Sequence, residues 1–149
     1  MRKIFVLPCC FIILVVSCKS KEKQTTSESN IDAARNFIRA ALDGKFSEAR
    51  TFMLQDSVNT NYMDLVERSY INIDQATKDG YRASSINIHL LDPLNDSTSI
   101  IIYSNSFKND HDTLKVQKRN DNWLVDFKYL YQHDADTIIK KPILNDTLK

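Results

Sequence analysis

Apolar residues recur every three to four positions after residue 30 and every second position after residue 80. The first period predicts a helix over residues 30–42, because apolar residues at this spacing share one helical face. That face is formed by Ile31, Ala34, Phe37, Ile38, Ala41 and Leu42. Ser29 with Asp32 fits a capping box at the start of the helix. Gly44 predicts its end, since glycine readily adopts the left-handed conformation.

Two further helices are predicted before the period changes. An apolar stripe that includes Phe46 and Phe52 predicts a short helix over residues 46–54. A longer helix is predicted over residues 58–78, and the β-branched and aromatic residues at 70–73 are a point at which it could break. Gly80 is predicted to end the helical half of the chain.

Strict alternation of apolar and polar residues then predicts strands. Their predicted ranges are 81–91, 97–107, 113–118 and 123–131. Three consecutive isoleucines at 100–102 indicate a strand covered on both faces. Turn-forming residues separate the strands, at 92–96, 108–111 and 119–122.

Helices followed by strands with short connections predict an α+β fold. We expect the helices to pack on one face of a curved, antiparallel, four-stranded sheet whose strands pair in sequence order. The domain is predicted over residues 30–131. Residues 132–149 are mostly polar and are expected to form a tail.

The first residues of the chain follow a different pattern. Arg2 and Lys3 precede an apolar run over residues 4–16 that only Pro8 interrupts. A membrane-spanning helix needs about 20 apolar residues. This shorter run behind a basic start is typical of a secretory signal peptide.

The run ends Leu14-Val15-Val16-Ser17-Cys18, which resembles the lipobox of bacterial lipoproteins. The resemblance implies a signal peptide over residues 1–17, cleavage between Ser17 and Cys18, and acyl chains (palmitate among them) on Cys18. These chains would hold the protein to a membrane. An ordinary signal peptide cleaved elsewhere and an uncleaved anchor are the alternatives.

Residues 18–29 are expected to form the lipidated end and a flexible tether, because residues 19–29 contain no apolar side chain. Some surface-exported lipoproteins carry an acidic run directly after the cysteine. The run here is basic or mixed, which favours the periplasmic face of the cell outer membrane.

The amino-acid composition argues against several classes of function. The 20 Lys and Arg residues nearly balance 19 Asp and Glu residues, so no nucleic-acid partner is expected. Two glycines argue against Gly-rich phosphate-binding loops. After cleavage Cys18 would be the only cysteine left, which excludes disulfides, cysteine nucleophiles and cysteine metal sites from the mature chain.

Two parts of the domain resemble small bacterial lipoproteins with a nuclear transport factor 2-like, or cystatin-like, domain of unknown function. The quoted residues are Ala33-Ala34, Phe37, Ala41-Leu42, Gly44-Lys45-Phe46, Glu48-Ala49 and Lys118 to Val125. The sequence departs from the family at Asn122, where glycine is usual, and the middle of the third helix matches no motif. The resemblance implies a cone formed by a bent sheet around a long helix, with a cavity at its open end.

Aromatic residues are the candidates for lining this cavity. They are Phe37, Tyr62, Tyr103, Trp123 and Phe127. Such a lining suits a small hydrophobic or sugar ligand, and ordinary core packing is the alternative. We therefore predict a non-catalytic envelope lipoprotein that binds a small ligand or a protein partner. The oligomeric state is left open, a dimer included.

The alternative is a small enzyme of isomerase or hydratase type, which needs a carboxylate in an apolar cavity. Asp126 is the obvious carboxylate on a strand, but its alternation with Val125 and Phe127 predicts that it faces solvent. His89 is predicted on the same outer face, and His111 with Asp112 in a turn. His133, Asp134 and Asp136 form at most a weak metal cluster. No catalytic residue, metal or cofactor is predicted.

Overall fold

The computed structural model describes residues 27–136, which form helices followed by an antiparallel sheet. The elements are α1 (Asn30–Leu42), α2 (Phe46–Thr51), α3 (Ser57–Asn72), α4 (Gln75–Ala83), β1 (Ile86–Asn95), β2 (Thr98–Asn105), β3 (His111–Arg119), β4 (Asn122–Asp126) and α5 (Tyr129–Asp136). This order confirms the predicted α+β class.

The four strands form one open sheet in the order β1-β2-β3-β4, and every neighbouring pair is antiparallel. Ile101 lies opposite Leu114, and Val116 lies opposite Val125. These four side chains are fully buried and join the core formed with α1. The helices therefore cover the face of the sheet that carries Ile101.

The outer edge of β4 is covered by the segment after α2. The backbone N–H of Leu54 donates to the carbonyl of Val125 at 2.9 Å, and Val125 donates to the carbonyl of Phe52 at 2.8 Å. Met53 forms an isolated parallel bridge with Val125. The helical half is thus joined to the sheet by backbone hydrogen bonds as well as by side chains.

Both ends of α1 have the capping residues that the sequence predicts. The Ser29 hydroxyl accepts a hydrogen bond from the backbone N–H of Asp32 at 3.1 Å. Gly44 is left-handed, with φ of 76°. A Cβ there would lie 2.6 Å from the ring of Tyr70, so glycine is needed at this position for both its backbone and its lack of a side chain.

The third predicted helix is two helices, and the predicted role of Gly80 is wrong. α3 stops at Asn72, and the Asp74 carboxylate caps α4 by accepting from the backbone N–H of Thr77 at 2.9 Å. Gly80 lies inside α4, where a Cβ would be 2.4 Å from the ring of Phe107. The glycine makes room for that ring. Because α4 continues to Ala83, β1 begins at Ile86 rather than at residue 81.

The strands end differently from the prediction at two places. β1 continues through the predicted turn at 92–96 to Asn95. β4 stops at Asp126, and α5 begins at Tyr129, so the alternation over 123–131 does not mark one strand. The last turn is correct, because Asn120 and Asp121 have φ of 48° and 64°.

Between residues 27 and 136, no helix is both long and apolar enough to cross a membrane. Cys18, Ser17, the signal peptide and most of the tether lie outside the described residues, as does the tail after residue 136.

Candidate ligand-binding cavity

A cavity of about 460 Å³ lies between the helices and the sheet. Its wall is built from α1, α3, α4, α5, the inner face of β2 and β3, and the loop between those strands. The lining residues are Phe37, Ile38, Ala41, Leu42, Val66, Ser69, Tyr70, Ile73, Tyr81, Tyr103, Asn105, Lys108, Asp110, Asp112, Phe127, Leu130 and Tyr131. The volume is in the range of sites that hold small molecules.

Aromatic rings form a continuous wall along one side. The rings of Phe37 and Phe127 are tilted with centroids 5.1 Å apart, and Phe127 meets Tyr131 edge-on at 5.5 Å. Tyr131 in turn stacks on Tyr62 with centroids 4.6 Å apart. Paired rings of this kind hold each other in fixed orientations, so the wall is preorganised.

The polar groups of the cavity gather where β2 and β3 meet the loop between them. Tyr103 and Asp112 are direct partners across the two strands. The Tyr103 hydroxyl donates a hydrogen bond to the Asp112 carboxylate. Asp110 and Lys108 add two charged groups from the loop. The cavity therefore has an apolar body and an ionisable end.

Burial raises the pKa of the Tyr103 phenol well above its ordinary value, and the negative charge of Asp112 raises it further. The partial burial of Tyr131 is also the main reason why its pKa is raised, again with a contribution from Asp112. Both phenols thus keep their protons at any physiological pH. They present neutral hydroxyl groups and π-faces to a ligand.

The five candidate lining residues fall in three places. Phe37, Tyr103 and Phe127 line the cavity. Tyr62 is not among its lining residues and supports the wall from behind, through its stacking on Tyr131. Trp123 lies in a separate cleft of about 420 Å³, lined by Ser27, Arg50, Thr51, Met53, Gln55, Arg119, Asn120, Asn122, Trp123 and Leu124.

Asp126 lies neither in solvent nor in the cavity, so the prediction for it is wrong. It is 3% exposed, and three polar side chains surround it, one of them from α3. Asn59 Nδ2 donates to its carboxylate at 3.2 Å, Lys128 Nζ lies at 3.3 Å, and Lys115 Nζ at 3.6 Å. Asn59 at the start of α3 and Lys128 after β4 bury this end of the sheet.

Asp56 completes a group that we call the Asp126 cluster, formed by Asp56, Asn59, Lys115, Asp126 and Lys128. Lys128 Nζ lies 3.3 Å from the Asp56 carboxylate, and the Asn59 amide donates to the same carboxylate at 2.6 Å. The Asn59 side-chain oxygen accepts from the backbone N–H of Lys128 at 2.7 Å. The cluster thus fastens the start of α3 to the sheet.

The charges in the cluster stabilise one another. Burial alone would lower the pKa of Lys128, but the carboxylates of Asp126 and Asp56 outweigh it and raise that pKa. The pKa of Asp56 is lowered, first by the backbone N–H of Asn59, against a weaker opposing effect of burial, and further by the Asn59 amide and Lys128. Such mutual support is typical of a structural network.

His89 and His111 are not among the lining residues of the cavity. His89 is exposed on the outer face, with Nε2 2.8 Å from the Ser104 hydroxyl, and its ring lies 4.2 Å from that of His111. His111 begins β3 rather than lying in a turn. Within the described residues, no three His, Cys, Asp or Glu side chains are grouped to hold a metal. The side chains of His133, Asp134 and Asp136 lie outside the described part.

The acidic end of the cavity was not predicted from the sequence. Asp112 was predicted in a turn, yet it is two positions before Leu114 and four before Val116, on the same side of β3. Extending the strand by two residues would have placed Asp112 on the inner face. Asp110 and Lys108 carry no comparable signal, because loop residues do not follow the period of a strand.

Comparison with known proteins gives no match at any level: no family model, no curated protein and no solved structure is significantly similar to this chain.

Proposed function

We propose that this protein is a membrane-anchored envelope lipoprotein that binds a small, largely apolar ligand in its cavity and does not transform it. The cavity between α1, α3 and the sheet is the observation that carries the proposal. It combines a volume of about 460 Å³ with an apolar body and a few polar groups at one end, which is the usual composition of small-molecule sites.

The second feature that supports binding is rigidity. The aromatic wall is held by ring contacts, and the polar end is held by hydrogen bonds between neighbouring strands. A preformed site loses less conformational entropy on binding than a site that must first become ordered. A ligand would therefore gain most of the free energy that its burial provides.

We assign the domain to the nuclear transport factor 2-like, or cystatin-like, cone. Supporting features are the helices that precede the sheet, the order β1-β2-β3-β4, and a cavity between the two layers. Fold alone does not select a function, so binding rests on the cavity and not on this assignment.

The anchoring half of the proposal rests on residues 14–18. Cys18→Ser should abolish labelling of the protein by a radioactive fatty acid and leave the precursor uncleaved. Ser20→Ala is a matched control that should leave labelling intact. Continued labelling of Cys18→Ser protein would remove the lipoprotein assignment and leave the binding proposal unaffected.

The binding proposal is tested by filling the cavity. Ala41 lines it on α1, so Ala41→Phe should reduce the binding of a neutral apolar probe, N-phenyl-1-naphthylamine, measured by the rise in probe fluorescence. Ala76→Phe is the control, because Ala76 is exposed on α4. Equal probe binding by the two variants, both folded by circular dichroism, would contradict the proposal.

A second candidate function is a small enzyme, and Asp112 is the observation that favours it. A carboxylate beside a buried phenol can accept a proton from a carbon acid bound in an apolar cavity. Asp126, the carboxylate considered from the sequence, is bound within its own cluster. Conversion of a β,γ-unsaturated ketone to its conjugated isomer, followed by ultraviolet absorbance and lost in Asp112→Asn, would establish this alternative in place of simple binding.

A further inference from the structure

We infer that the separate cleft of about 420 Å³, which we call the Trp123 cleft, binds a saccharide whose ring packs on the indole. The cleft shares no lining residue with the cavity described above, so this inference does not depend on the proposed function. Its volume is in the range of sites that hold small molecules. The fixed walls of the cleft, its tryptophan and its polar groups carry the inference.

The two walls of the Trp123 cleft are joined by the backbone. One wall is the segment after α2, with Met53 and Gln55, and the other is the hairpin of β3 and β4. The backbone N–H of Leu54 donates to the carbonyl of Val125 at 2.9 Å and so links the two walls. A site that is already ordered loses less conformational entropy when a ligand binds.

Trp123 supplies the surface on which a sugar ring can pack. The residue is half-buried, packs against the hydrophobic core and also lines the cleft. An indole has an apolar face and one polar N–H. The C–H groups on one side of a sugar ring pack on such a face, while the sugar hydroxyl groups remain at the rim of the ring and need hydrogen-bond partners.

The polar lining offers hydrogen bonds that the protein itself does not use. Within residues 27–136, the side-chain amides of Asn120 and Asn122 make no hydrogen bond, and the buried hydroxyl of Ser27 has no partner. Each amide carries an acceptor oxygen and two N–H donors. This combination suits neighbouring sugar hydroxyls, which donate and accept, whereas a purely apolar ligand would leave the groups unpaired.

The charges of the cleft also suit sugar oxygens. Two arginines line it, and no carboxylate does among the described residues. Arg50 is held by the carboxylates of Asp64 and Glu67, which lie 2.6 and 2.8 Å from its Nη2. Arg119 Nη2 donates to the side-chain oxygen of Gln117 at 2.7 Å. A guanidinium has five N–H donors, so Arg119 keeps donors for a ligand, and a cationic ligand is disfavoured.

Trp123 is the only tryptophan of the chain, so its fluorescence reports on this cleft alone. The probes are the methyl glycosides of glucose, galactose and N-acetylglucosamine, with glycerol and inorganic phosphate as comparison solutes, each titrated into the full-length protein. We expect a saturable change in tryptophan emission with at least one glycoside and none with glycerol or phosphate.

Two variants test the contacts by isothermal titration calorimetry with the glycoside that responds. Asn122→Ala should weaken its binding about tenfold, and Trp123→Leu, which keeps an apolar side chain against the core, should abolish it. Asn87→Ala is the matched control, at an exposed asparagine of β1 outside the cleft, and should change the affinity by less than about twofold. Circular dichroism checks that each variant is folded.

Each other outcome contradicts the inference. No saturable response to any of the three glycosides overturns it, and so does a response to phosphate alone, because the cleft would then be an anion site. Unchanged glycoside affinity in folded Asn122→Ala or Trp123→Leu protein would place the binding outside the cleft. None of these results bears on the apolar cavity, which is tested with a different probe and different variants.

Discussion

Asp112 and Asp126 belong to the same sheet, and their surroundings are opposite. Asp126 is 3% exposed and is surrounded by an amide and two ammonium groups of its own chain. Asp112 lines a cavity and is hydrogen-bonded by a phenol. A buried charge is retained at low cost only where it is compensated. Side chains of its own cluster compensate Asp126, which makes it structural, while Asp112 is part of the cavity wall.

The largest effect should come from removing Asp126. Asp126→Ala takes away the acceptor of Asn59 and leaves two lysine side chains without their shared carboxylate, so we expect a loss of about 3 kcal/mol in unfolding free energy. Asp112→Ala should cost only about 1 kcal/mol. Urea unfolding followed by circular dichroism measures both, and equal losses would erase the distinction between the two sites.

Asn59 tests the cluster from the helical side. The side chain is fully buried and bonds Asp56, Asp126 and the backbone N–H of Lys128. Asn59→Ala leaves buried polar groups unpaired, so about 2 kcal/mol should be lost. Asn36→Ala on the exposed face of α1 is the control and should change stability by less than about 0.5 kcal/mol. A loss at Asn36 as large as at Asn59 would contradict a specific role for the cluster.

The cavity side should be sensitive to high pH. The pKa of Tyr103 is raised in the folded protein, chiefly by burial. The contribution of the neutral phenol is therefore complete below its unfolded pKa of 10 and is lost as the pH rises above it, by about 1.4 kcal/mol per pH unit. Tyr103→Phe should give a shallower decline above pH 10 in urea unfolding. Identical slopes would show that Tyr103 does not stay neutral in the fold.

The cluster side should be sensitive to acid, with the smallest effect. The pKa of Asp56 is lowered in the folded protein, so its contribution is complete above the unfolded value of 3.8 and is lost as the pH falls below it. The side chain is 42% exposed, so the effect should be under about 0.5 kcal/mol. Asp56→Asn should flatten the decline below pH 4, and Tyr103→Phe should leave it unchanged. A steeper decline in Asp56→Asn would reverse the sign argued here.

Features that depend on neighbouring residues could be predicted from the sequence. The cap at Ser29, the left-handed Gly44 and the turn at Asn120 and Asp121 all follow from the residues next to them. The α+β class follows from the change of period. These features depend on contacts within a few residues, so a sequence pattern is sufficient to find them.

Features that depend on contacts between distant residues could not be predicted from the sequence. Asp126 is separated by 67 positions from Asn59, the residue that buries it with the two lysines. Gly80 owes its place inside α4 to the ring of Phe107. The alternation up to Tyr131 led to a strand being predicted over residues 123–131, whereas Tyr129 and Tyr131 belong to a helix. The cavity combines lining residues from four helices, two strands and three connecting segments, and the alternation of apolar and polar residues does not predict that they meet.

The segment from Phe52 to Leu54 also protects one edge of the sheet against strand addition from another molecule. An open edge is a template for aggregation, and here the backbone of β4 is already paired by the chain itself. The opposite edge is β1, which contains Pro93 and two shifts of register. Proline offers no backbone donor, and bulges disturb a straight ladder. Both edges of the sheet therefore disfavour pairing with a strand of another molecule, the step by which fibrils grow.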